Sequence, residues 1–155
     1  MEMKRIDINL KGNEGRTLLH FSALIGSLDI TEYLVKNGAN INARDINGSK
    51  PIHAAMKKGF KDLVEYYLNC KMEIEDLDEN NLTLLHIAAG CGNTNICELL
   101  IKRNVNINAV NLNNQTPIHL AAKNGHKDII DILLHYGAYY NFKDKFARAR
   151  TNTFA

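Results

Sequence analysis

The sequence predicts an all-α repeat solenoid, in which antiparallel helix pairs stack and projecting, β-hairpin-like loops join them. Three observations lead to this fold class. A four-residue segment that ends in histidine recurs every 33 residues, with the histidines at His20, His53, His86 and His119. A glycine follows at the same spacing, at Gly26, Gly59, Gly92 and Gly125. Each period also holds a short alanine-rich segment and a longer amphipathic one, and such a pair can bury its apolar faces only against stacked neighbours.

The composition is that of an ordinary globular chain and excludes several classes of function. Lys and Arg number 19 against 17 Asp and Glu, a formal net charge of +2, so no strong field attracts nucleic acid. No apolar run approaches the roughly 18 residues of a membrane-spanning helix, and the first residues lack the apolar region of a signal peptide. We therefore expect a cytoplasmic protein whose partners do not include nucleic acid and which does not itself insert into membranes.

The first helix of each pair is predicted from the residues at its start and its end. Thr17, Thr83 and Thr116 precede the apolar segments, and threonine hydroxyls are typical N-caps. The second repeat has Lys50 in this place, which predicts a helix without a side-chain cap. A glycine such as Gly59 ends the helix, because glycine readily adopts the left-handed conformation of a helix C-terminus.

The second helix and the connecting loop follow from apolar spacing and turn residues. Between Lys61 and Asn69, apolar residues recur every three or four positions, as on an amphipathic helix. Residues 40–49 then form an extended segment that runs into a turn, which we call a finger. The turn residue is glycine or asparagine, the two types that best tolerate a positive φ, at Gly15, Gly48, Asn81 and Asn114.

The repeated unit resembles the ankyrin repeat over essentially the whole chain. The tetrads that correspond to the family's T-P-L-H are Thr17-Leu18-Leu19-His20, Lys50-Pro51-Ile52-His53, Thr83-Leu84-Leu85-His86 and Thr116-Pro117-Ile118-His119. Residues 1–155 are then one array: a partial unit at 1–11, full repeats at 12–44, 45–77, 78–110 and 111–143, and a degenerate partial unit at 144–155. The incomplete ends indicate either degenerate caps or a piece of a longer array, and we favour the longer array.

No catalytic, metal-binding or cofactor-binding pattern stands apart from the repeat. The four repeated histidines occupy one structural position without a Cys/His cluster, so we expect them to bond adjacent loops and not a metal. His126 and His135 are expected on the surface. Cys91 and Cys97 are close enough in sequence to suggest a redox pair, but free, partly buried thiols are favoured. The chain is therefore not predicted to be an enzyme, and no cofactor or small-molecule substrate is expected.

The ankyrin resemblance implies a protein-protein interaction scaffold. In that family the protein partner lies in a concave groove formed by finger tips and the exposed ends of first helices. The corresponding residues here are Arg16, Ile46, Asn47, Ser49, Lys57, Lys58, Glu79, Asn80, Leu82, Cys91, Leu112, Asn113, Gln115, Lys123 and Asn124. Three of these positions are predicted to be exposed to solvent but hold apolar residues: Ile46, Leu82 and Leu112. We therefore expect a partner or a neighbouring finger to cover them.

Charged clusters add an electrostatic feature to this surface. Lys57, Lys58 and Lys123 have no acidic residue placed to pair with them, and we expect them to steer an acidic partner. The acidic residues within 73–79 form one finger, which is either solvated or docks a basic partner. The basic residues within 143–150 are interpreted as a solvated end.

Two alternatives to a free-standing scaffold stay open, and one modification is implied by the resemblance. The chain would instead be a segment of a larger membrane-acting toxin or ion channel, or an effector of a virus or intracellular bacterium. Asn42 and Asn108 match the asparagine that an asparaginyl hydroxylase modifies in the family, within Ile41-Asn42-Ala43 and Ile107-Asn108-Ala109. The acidic residue that the family places two positions earlier is Asn40 or Asn106 here.

Overall fold

A computed structural model describes residues 6–70, 72, 74, 77, 78 and 80–140. Over these residues the chain forms eight α-helices and no β-strand. It divides into unit 1 (Met1–Ile74) and unit 2 (Glu75–Ala155), each with two helix pairs. The predicted all-α repeat fold is confirmed. In the part of the chain that the structure describes, no helix is both long enough and apolar enough to cross a membrane.

The helices follow one another in pairs separated by fingers. In unit 1 a 3-10 turn at Asn13–Gly15 precedes α1 (Leu18–Ile25), α2 (Leu28–Lys36), α3 (Pro51–Lys58) and α4 (Lys61–Asn69). Unit 2 contains α5 (Leu84–Cys91), α6 (Thr94–Lys102), α7 (Pro117–Lys123) and α8 (Lys127–His135). Each of the four predicted full repeats therefore holds one first helix and one second helix.

The first helices begin where expected, and Thr17, Thr83 and Thr116 are their N-caps, each in a capping box with the histidine three residues on. Thr83 accepts a hydrogen bond from the backbone N–H of His86 (3.3 Å), and in all three repeats the threonine backbone N–H donates to Nδ1 of the histidine, at 3.1–3.2 Å. In all three repeats the hydroxyl lies 2.8–3.0 Å from Nδ1 of the histidine three residues on, because that ring is within reach of the same oxygen. Lys50 provides no side-chain cap, as predicted.

The glycines after the first helices adopt the left-handed conformation that the sequence predicts. The φ angle is 74°, 77° and 79° at Gly26, Gly59 and Gly92, each of which is the C-cap of its helix. In the fourth repeat α7 has Asn124 as its C-cap, and the next residue, Gly125, still has a φ of 77°. The glycine thus keeps its left-handed conformation in the fourth repeat, although α7 ends one residue earlier than the other first helices.

The finger turns keep a positive φ whether the turn residue is glycine or asparagine. The angle is 68° at Gly15, 70° at Gly48, 55° at Asn81 and 56° at Asn114. The substitution of asparagine for glycine therefore preserves the backbone path, as its tolerance of the left-handed region predicts.

An acidic or amide side chain at the base of each of three fingers closes the turn. Asp45 Oδ1 accepts hydrogen bonds from the backbone N–H groups of Asn47 and Ser49, both at 2.9 Å. In unit 2, Asp78 and Asn111 accept the same two bonds from the residues two and four positions later, at 2.8–2.9 Å. These three residues are spaced by 33 positions, so the sequence period also marks the base of the finger.

Each unit is built around apolar side chains of neighbouring helices. In unit 1, α1 contacts α2 and α3, and α3 contacts α4; in unit 2, α5 contacts α6 and α7, and α8 contacts α6 and α7. The buried positions repeat with the sequence period: Leu19, Ile52, Leu85 and Ile118 on first helices, and Leu34, Tyr67, Leu100 and Leu133 on second helices. Full burial of one such aliphatic side chain stabilises the fold by about 1.5–3 kcal/mol.

Candidate partner-binding surface

Histidine hydrogen bonds hold the fingers against the first helices. In unit 1, the backbone N–H of Thr17 donates to Nδ1 of His20 (3.1 Å), and Nε2 of the same ring lies 3.0 Å from the carbonyl oxygen of Ser49 in the next finger. A backbone N–H only donates and a carbonyl only accepts. The ring is therefore neutral and carries its proton on Nε2.

The same arrangement occurs in unit 2. The backbone N–H of Thr83 donates to Nδ1 of His86 (3.2 Å), and Nε2 donates to the carbonyl oxygen of Gln115 (2.9 Å). This confirms, for His20 and His86, the prediction that the repeated histidines bond adjacent loops. Both nitrogens of His20 and of His86 are engaged, so these rings serve the fold. Among the described residues, no group of three His, Cys, Asp or Glu side chains could hold a metal ion.

We expect the protein to lose stability as the pH falls below about 6.5, because His20 and His86 are held neutral. Burial lowers the pKa of both rings below the ordinary value of 6.5, against a smaller opposite effect of the hydrogen bonds to Ser49 and Gln115. The unfolded chain then binds more protons than the folded chain. The two neutral rings contribute fully to the stability of the fold above the pKa that histidine has in the unfolded chain. This contribution is lost as the pH falls through the lower pKa values of the two rings in the folded chain. Denaturant midpoints measured from neutral pH down to about 5 test this.

One substitution tests the contribution of His86. His86→Gln removes one of the two protons taken up on unfolding, so the pH dependence of the midpoint should become shallower. Identical pH profiles for wild type and His86→Gln would contradict the neutral tautomer at this ring.

Two exposed apolar side chains project from fingers whose backbone is held in place. The backbone N–H of Ile46 donates to the carbonyl of Glu14 in unit 1 (2.9 Å), and that of Leu112 donates to the carbonyl of Asn80 in unit 2 (3.2 Å). The Ile46 and Leu112 residues are 67% and 56% exposed. An apolar group on a fixed backbone loses little conformational freedom on binding, which suits it to anchor a partner.

The lysines predicted to face a partner lie at the ends of first helices. Lys57 and Lys58 end α3, Lys123 ends α7, and all three are exposed. The ion pairs of the described residues include none of them. A lysine in the last turn interacts favourably with the helix dipole, which is a modest structural role. Their charge nevertheless remains available at the surface.

The other finger residues are mostly placed as predicted, with one correction. Three of them are exposed or half-buried at the surface: Asn47, Asn80 and Asn113. Leu82 was expected to be wet but is half-buried, and its backbone N–H donates to Asp78 at the base of the finger (2.9 Å). Glu79 lies outside the described residues, as do the rest of the acidic run except Asp78 and the whole basic segment within 143–150.

Arg16 and Asn124 have structural partners that the sequence did not reveal. Arg16 forms an ion pair with Glu14 (2.9 Å) and lies 3.8 Å from Asp45, so it links two neighbouring fingers. The side-chain amide of Asn124 donates to the carbonyl of Gly90 (2.7 Å) and ties the end of α7 to the end of α5. A partner that binds the side chain of Arg16 or of Asn124 would have to break these contacts.

Ser49 and Gln115 also contribute to the fold. Their carbonyl groups accept the histidine hydrogen bonds described above, and Oε1 of Gln115 accepts a bond from the amide of Asn111 (3.3 Å). Both residues therefore hold the finger in position, and a partner would contact what remains exposed of them.

His126 corrects a prediction, since it is half-buried and not a free surface residue. Its Nε2 lies 3.1 Å from the carbonyl oxygen of Gly90. The ring also covers Gly92, where an added Cβ would lie 2.7 Å from a ring carbon. His126 occupies the residue after the left-handed glycine of its own repeat, and Phe60, at the equivalent position in unit 1, covers Gly26 in the same way.

None of the three cysteines forms a disulfide, and their environments differ. Cys91 is exposed at the end of α5, which differs from the partly buried position expected for it. Cys97 is fully buried, and burial raises the pKa of its thiol to about 12. A protonated thiol is a poor nucleophile, so the structure does not favour a redox role for this pair.

The two candidate hydroxylation sites have engaged side chains. Oδ1 of Asn108 accepts the backbone N–H of Tyr139 (2.8 Å), and its Nδ2 lies 3.5 Å from the carbonyl oxygen of Gly137. Oδ1 of Asn42 accepts a hydrogen bond from Nζ of Lys50 (3.0 Å). A modifying enzyme would therefore have to release these contacts before it could enclose either asparagine.

The chain is a tandem-repeat protein built from a single type of repeat. Each repeat combines a helix pair, a left-handed glycine, a histidine and a finger. A family model described as ankyrin repeats (3 copies) matches residues 2–78 and 52–144. The chain belongs to the ankyrin-repeat family. Ankyrin repeats generally serve as protein-interaction modules.

One curated relative matches a short part of the chain. A segment of 47 residues is 38% identical to part of Alpha-latroinsectotoxin-Lt1a from Latrodectus tredecimguttatus. The match covers 30% of this chain and 3% of the toxin, so the chain spans a very small part of that protein's length.

Proposed function

We propose that the chain is a non-enzymatic interaction module, which binds a protein partner through finger tips and first-helix ends. In unit 1 the proposed residues are Ile46, Lys57 and Lys58. In unit 2 they are Leu112 and Lys123. The proposal concerns a class of function, since many unrelated partners bind proteins of one fold.

One observation carries the proposal: in each unit an exposed apolar side chain sits on a finger that is hydrogen-bonded to its neighbour. Ile46 and Leu112 are exposed although their backbones are fixed by bonds of 2.9 and 3.2 Å to the preceding finger. Isolated exposed side chains are ordinary on a protein surface. What supports a binding role is their recurrence at the same finger position, in the two repeats whose first helices end in lysine.

The charge of this surface favours an acidic partner. Lys57 and Lys58 are adjacent and exposed at the end of α3, and Lys123 is exposed at the end of α7. Exposed charges at the rim of a binding surface act mainly on the association rate, through long-range attraction that salt screens. An acidic protein segment with an apolar residue to cover Ile46 or Leu112 would match both features.

Charge reversal tests the proposal directly. We expect Lys57→Glu with Lys58→Glu to slow association with a captured partner by about tenfold and to reduce the salt dependence of its rate. Both side chains are exposed, so the helical circular-dichroism signal should stay nearly unchanged, and the Tm should fall only slightly through the lost interaction with the helix dipole. The rates are measured by surface plasmon resonance with the purified partner over a series of salt concentrations.

The matched control reverses two lysines on second helices. Lys61→Glu with Lys127→Glu changes the net charge by the same amount at exposed positions of α4 and α8. Association should then change little. If both double variants slow association equally, overall charge and not the proposed surface governs binding.

We also propose Asn42 and Asn108 as substrates of an asparaginyl hydroxylase, with modification limited by local opening. Their side chains accept hydrogen bonds in the folded chain, at 3.0 and 2.8 Å. Lys50→Ala should therefore increase modification of Asn42, whereas Asn108 should be unaffected. Incubation with the hydroxylase followed by peptide mass spectrometry measures the oxygen added. Absence of added oxygen at both residues, in wild type and in Lys50→Ala, removes the proposal.

The local similarity to a latroinsectotoxin supports a second candidate, in which the chain is part of a larger ankyrin array. Such an array would serve as a spacer or oligomerisation surface in a membrane-acting protein. The length of the native open reading frame decides between the two, because further repeats joined to apolar spans would favour the toxin-like protein. For the free-standing module we place the activity in the cytoplasm, where the free thiols of Cys70, Cys91 and Cys97 would stay reduced.

A further inference from the structure

Three asparagines of the chain are followed directly by glycine: Asn37-Gly38, Asn47-Gly48 and Asn124-Gly125. In such a pair the backbone nitrogen of the glycine can attack Cγ of the asparagine side chain, because glycine has no Cβ to hinder the approach. The three pairs therefore share the same intrinsic chemistry. Any difference in their reactivity must come from the structure around each asparagine.

The two asparagines at helix ends have engaged side chains. Asn37 is the C-cap of α2, and its Nδ2 donates to the carbonyl oxygen of Tyr33 (2.7 Å). Asn124 is the C-cap of α7, and its Nδ2 donates to the carbonyl oxygen of Gly90 (2.7 Å). Each side chain has to give up this hydrogen bond before its Cγ can turn toward the nitrogen of the following glycine.

Asn47 lies at the tip of a finger and differs from both. It is exposed, and among the residues that the structure describes none forms a hydrogen bond with its side chain. Its backbone N–H is engaged, since it donates to Oδ1 of Asp45 (2.9 Å). The side chain of Asn47 can therefore rotate toward the nitrogen of Gly48 without breaking a bond of its own.

The backbone bonds around the three pairs are equal in number. In each case the N–H groups of the asparagine, of the glycine and of the next residue donate, those of Gly38, Gly48 and Gly125 at 3.0, 3.0 and 3.2 Å. At the helix ends all acceptors are main-chain carbonyls, whereas two of the three bonds in the finger go to Asp45 Oδ1. Gly48 is buried, so attack at Asn47 requires the finger turn to open, and rotation of one side chain releases two of its bonds.

We propose that Asn47 is a site of spontaneous deamidation, and that opening of its finger turn limits the rate. The backbone nitrogen of Gly48 loses its proton to hydroxide and bonds to Cγ of Asn47, and the side-chain nitrogen leaves as ammonia. Water then adds to either carbonyl of the resulting succinimide ring and opens it, which gives aspartate or isoaspartate. No oxidant or reductant takes part, because the reaction is a substitution followed by a hydrolysis.

The modification adds a negative charge to the finger tip, next to the exposed Ile46. Isoaspartate in addition lengthens the backbone of the turn by one carbon. On the function proposed above, the new carboxylate would repel an acidic partner. This consequence rests on that function, whereas the modification itself does not and is tested without a partner.

Incubation of the full chain at mildly alkaline pH, in water enriched in heavy oxygen, tests the proposal. Each conversion in the folded chain then incorporates one heavy oxygen, whereas conversion during later digestion in ordinary water does not. Peptide mass spectrometry compares Asn47 with Asn37 and Asn124 in the same molecule. Asn47 should react about fivefold faster, the factor expected from one side-chain hydrogen bond that the other two must break.

Two variants of Asp45 test the role of the turn. Asp45→Ala removes the acceptor of two finger bonds, so Asn47 should react about tenfold faster while Asn37 and Asn124 keep their rates. Asp45→Asn should stay close to wild type, because Asn111 closes the equivalent turn in unit 2 through the same two bonds. Circular dichroism checks that both variants keep their helices.

Three results would overturn the proposal. Heavy oxygen that enters Asn37 or Asn124 before Asn47 would show that the free side chain does not select the site. An Asn47 that stays unmodified in the folded chain, while a denatured sample of the same protein reacts fully, would show that the finger protects it. An unchanged rate at Asn47 in Asp45→Ala would show that opening of the turn is not the limiting step.

Discussion

Truncation of Leu85 to alanine should lower the free energy of unfolding by about 2–5 kcal/mol, the range for large-to-small changes in a core. Leu85 is 1% exposed on α5, which packs against both α6 and α7 in unit 2. The substitution removes buried methyl groups and leaves a cavity that these helices can fill only in part. The effect is measured from the denaturant midpoint and slope of equilibrium unfolding.

A leucine at the surface of the same unit provides the control. Leu134 is 42% exposed on α8, so Leu134→Ala removes the same atoms with a much smaller loss of buried contact. We expect well under half the effect of Leu85→Ala. A Leu85→Ala midpoint equal to that of wild type would mean that the core of unit 2 is not where the structure places it.

Gly92→Ala should cost about 2–4 kcal/mol, from a left-handed backbone strain of about 1–2 kcal/mol and an overpacking term of similar size. Gly92 has a φ of 79°, and an added Cβ would lie 2.7 Å from the His126 ring. Because that ring is held by the carbonyl of Gly90, it cannot move away without losing a hydrogen bond (3.1 Å). The free energy of unfolding is again the measured quantity.

Gly125 isolates the two contributions. Its φ of 77° is nearly the same, but an added Cβ would meet nothing within 4 Å. Gly125→Ala should therefore cost only the backbone term of about 1–2 kcal/mol. The double variant Gly92→Ala with His126→Ala should lose less free energy of unfolding than the sum of the losses of the two single variants. Equal costs at Gly92 and Gly125 would contradict a steric role for His126.

Much of the fold could be predicted because the sequence repeats its local signals. These signals determine the backbone conformation of residues only a few positions away. They are the threonine or lysine before each first helix, the glycine after it, and the asparagine or glycine in each finger. The structure confirms the positive φ at Gly48 and Asn81 and the histidine bonds of His20 and His86. The helix boundaries followed from the same signals, apart from the one-residue shift at the end of α7.

The candidate surface was less predictable, because its residues make contacts with partners far along the chain. Asn124 bonds to Gly90 across 34 positions, and Arg16 lies near Asp45 in the following finger. Asp45 closes its own finger through a local hydrogen bond, and Asp78 does the same one repeat later. This role could therefore have been predicted from the spacing of the two residues. Ile46 and Leu112 are exposed as predicted, whereas Leu82 is half-buried.

The class of fold, the family and the identity of the repeated positions could all be read from the sequence. These depend on backbone sterics, capping and apolar periodicity, which act over a few residues and recur in every repeat. Which of the equivalent side chains are covered depends instead on tertiary packing. Ile30 and Leu63 are apolar at the same repeat position, yet their exposure differs from 47% to 2%. Burial depends on whether another helix pair packs on that side, and such contacts are made by residues distant in sequence.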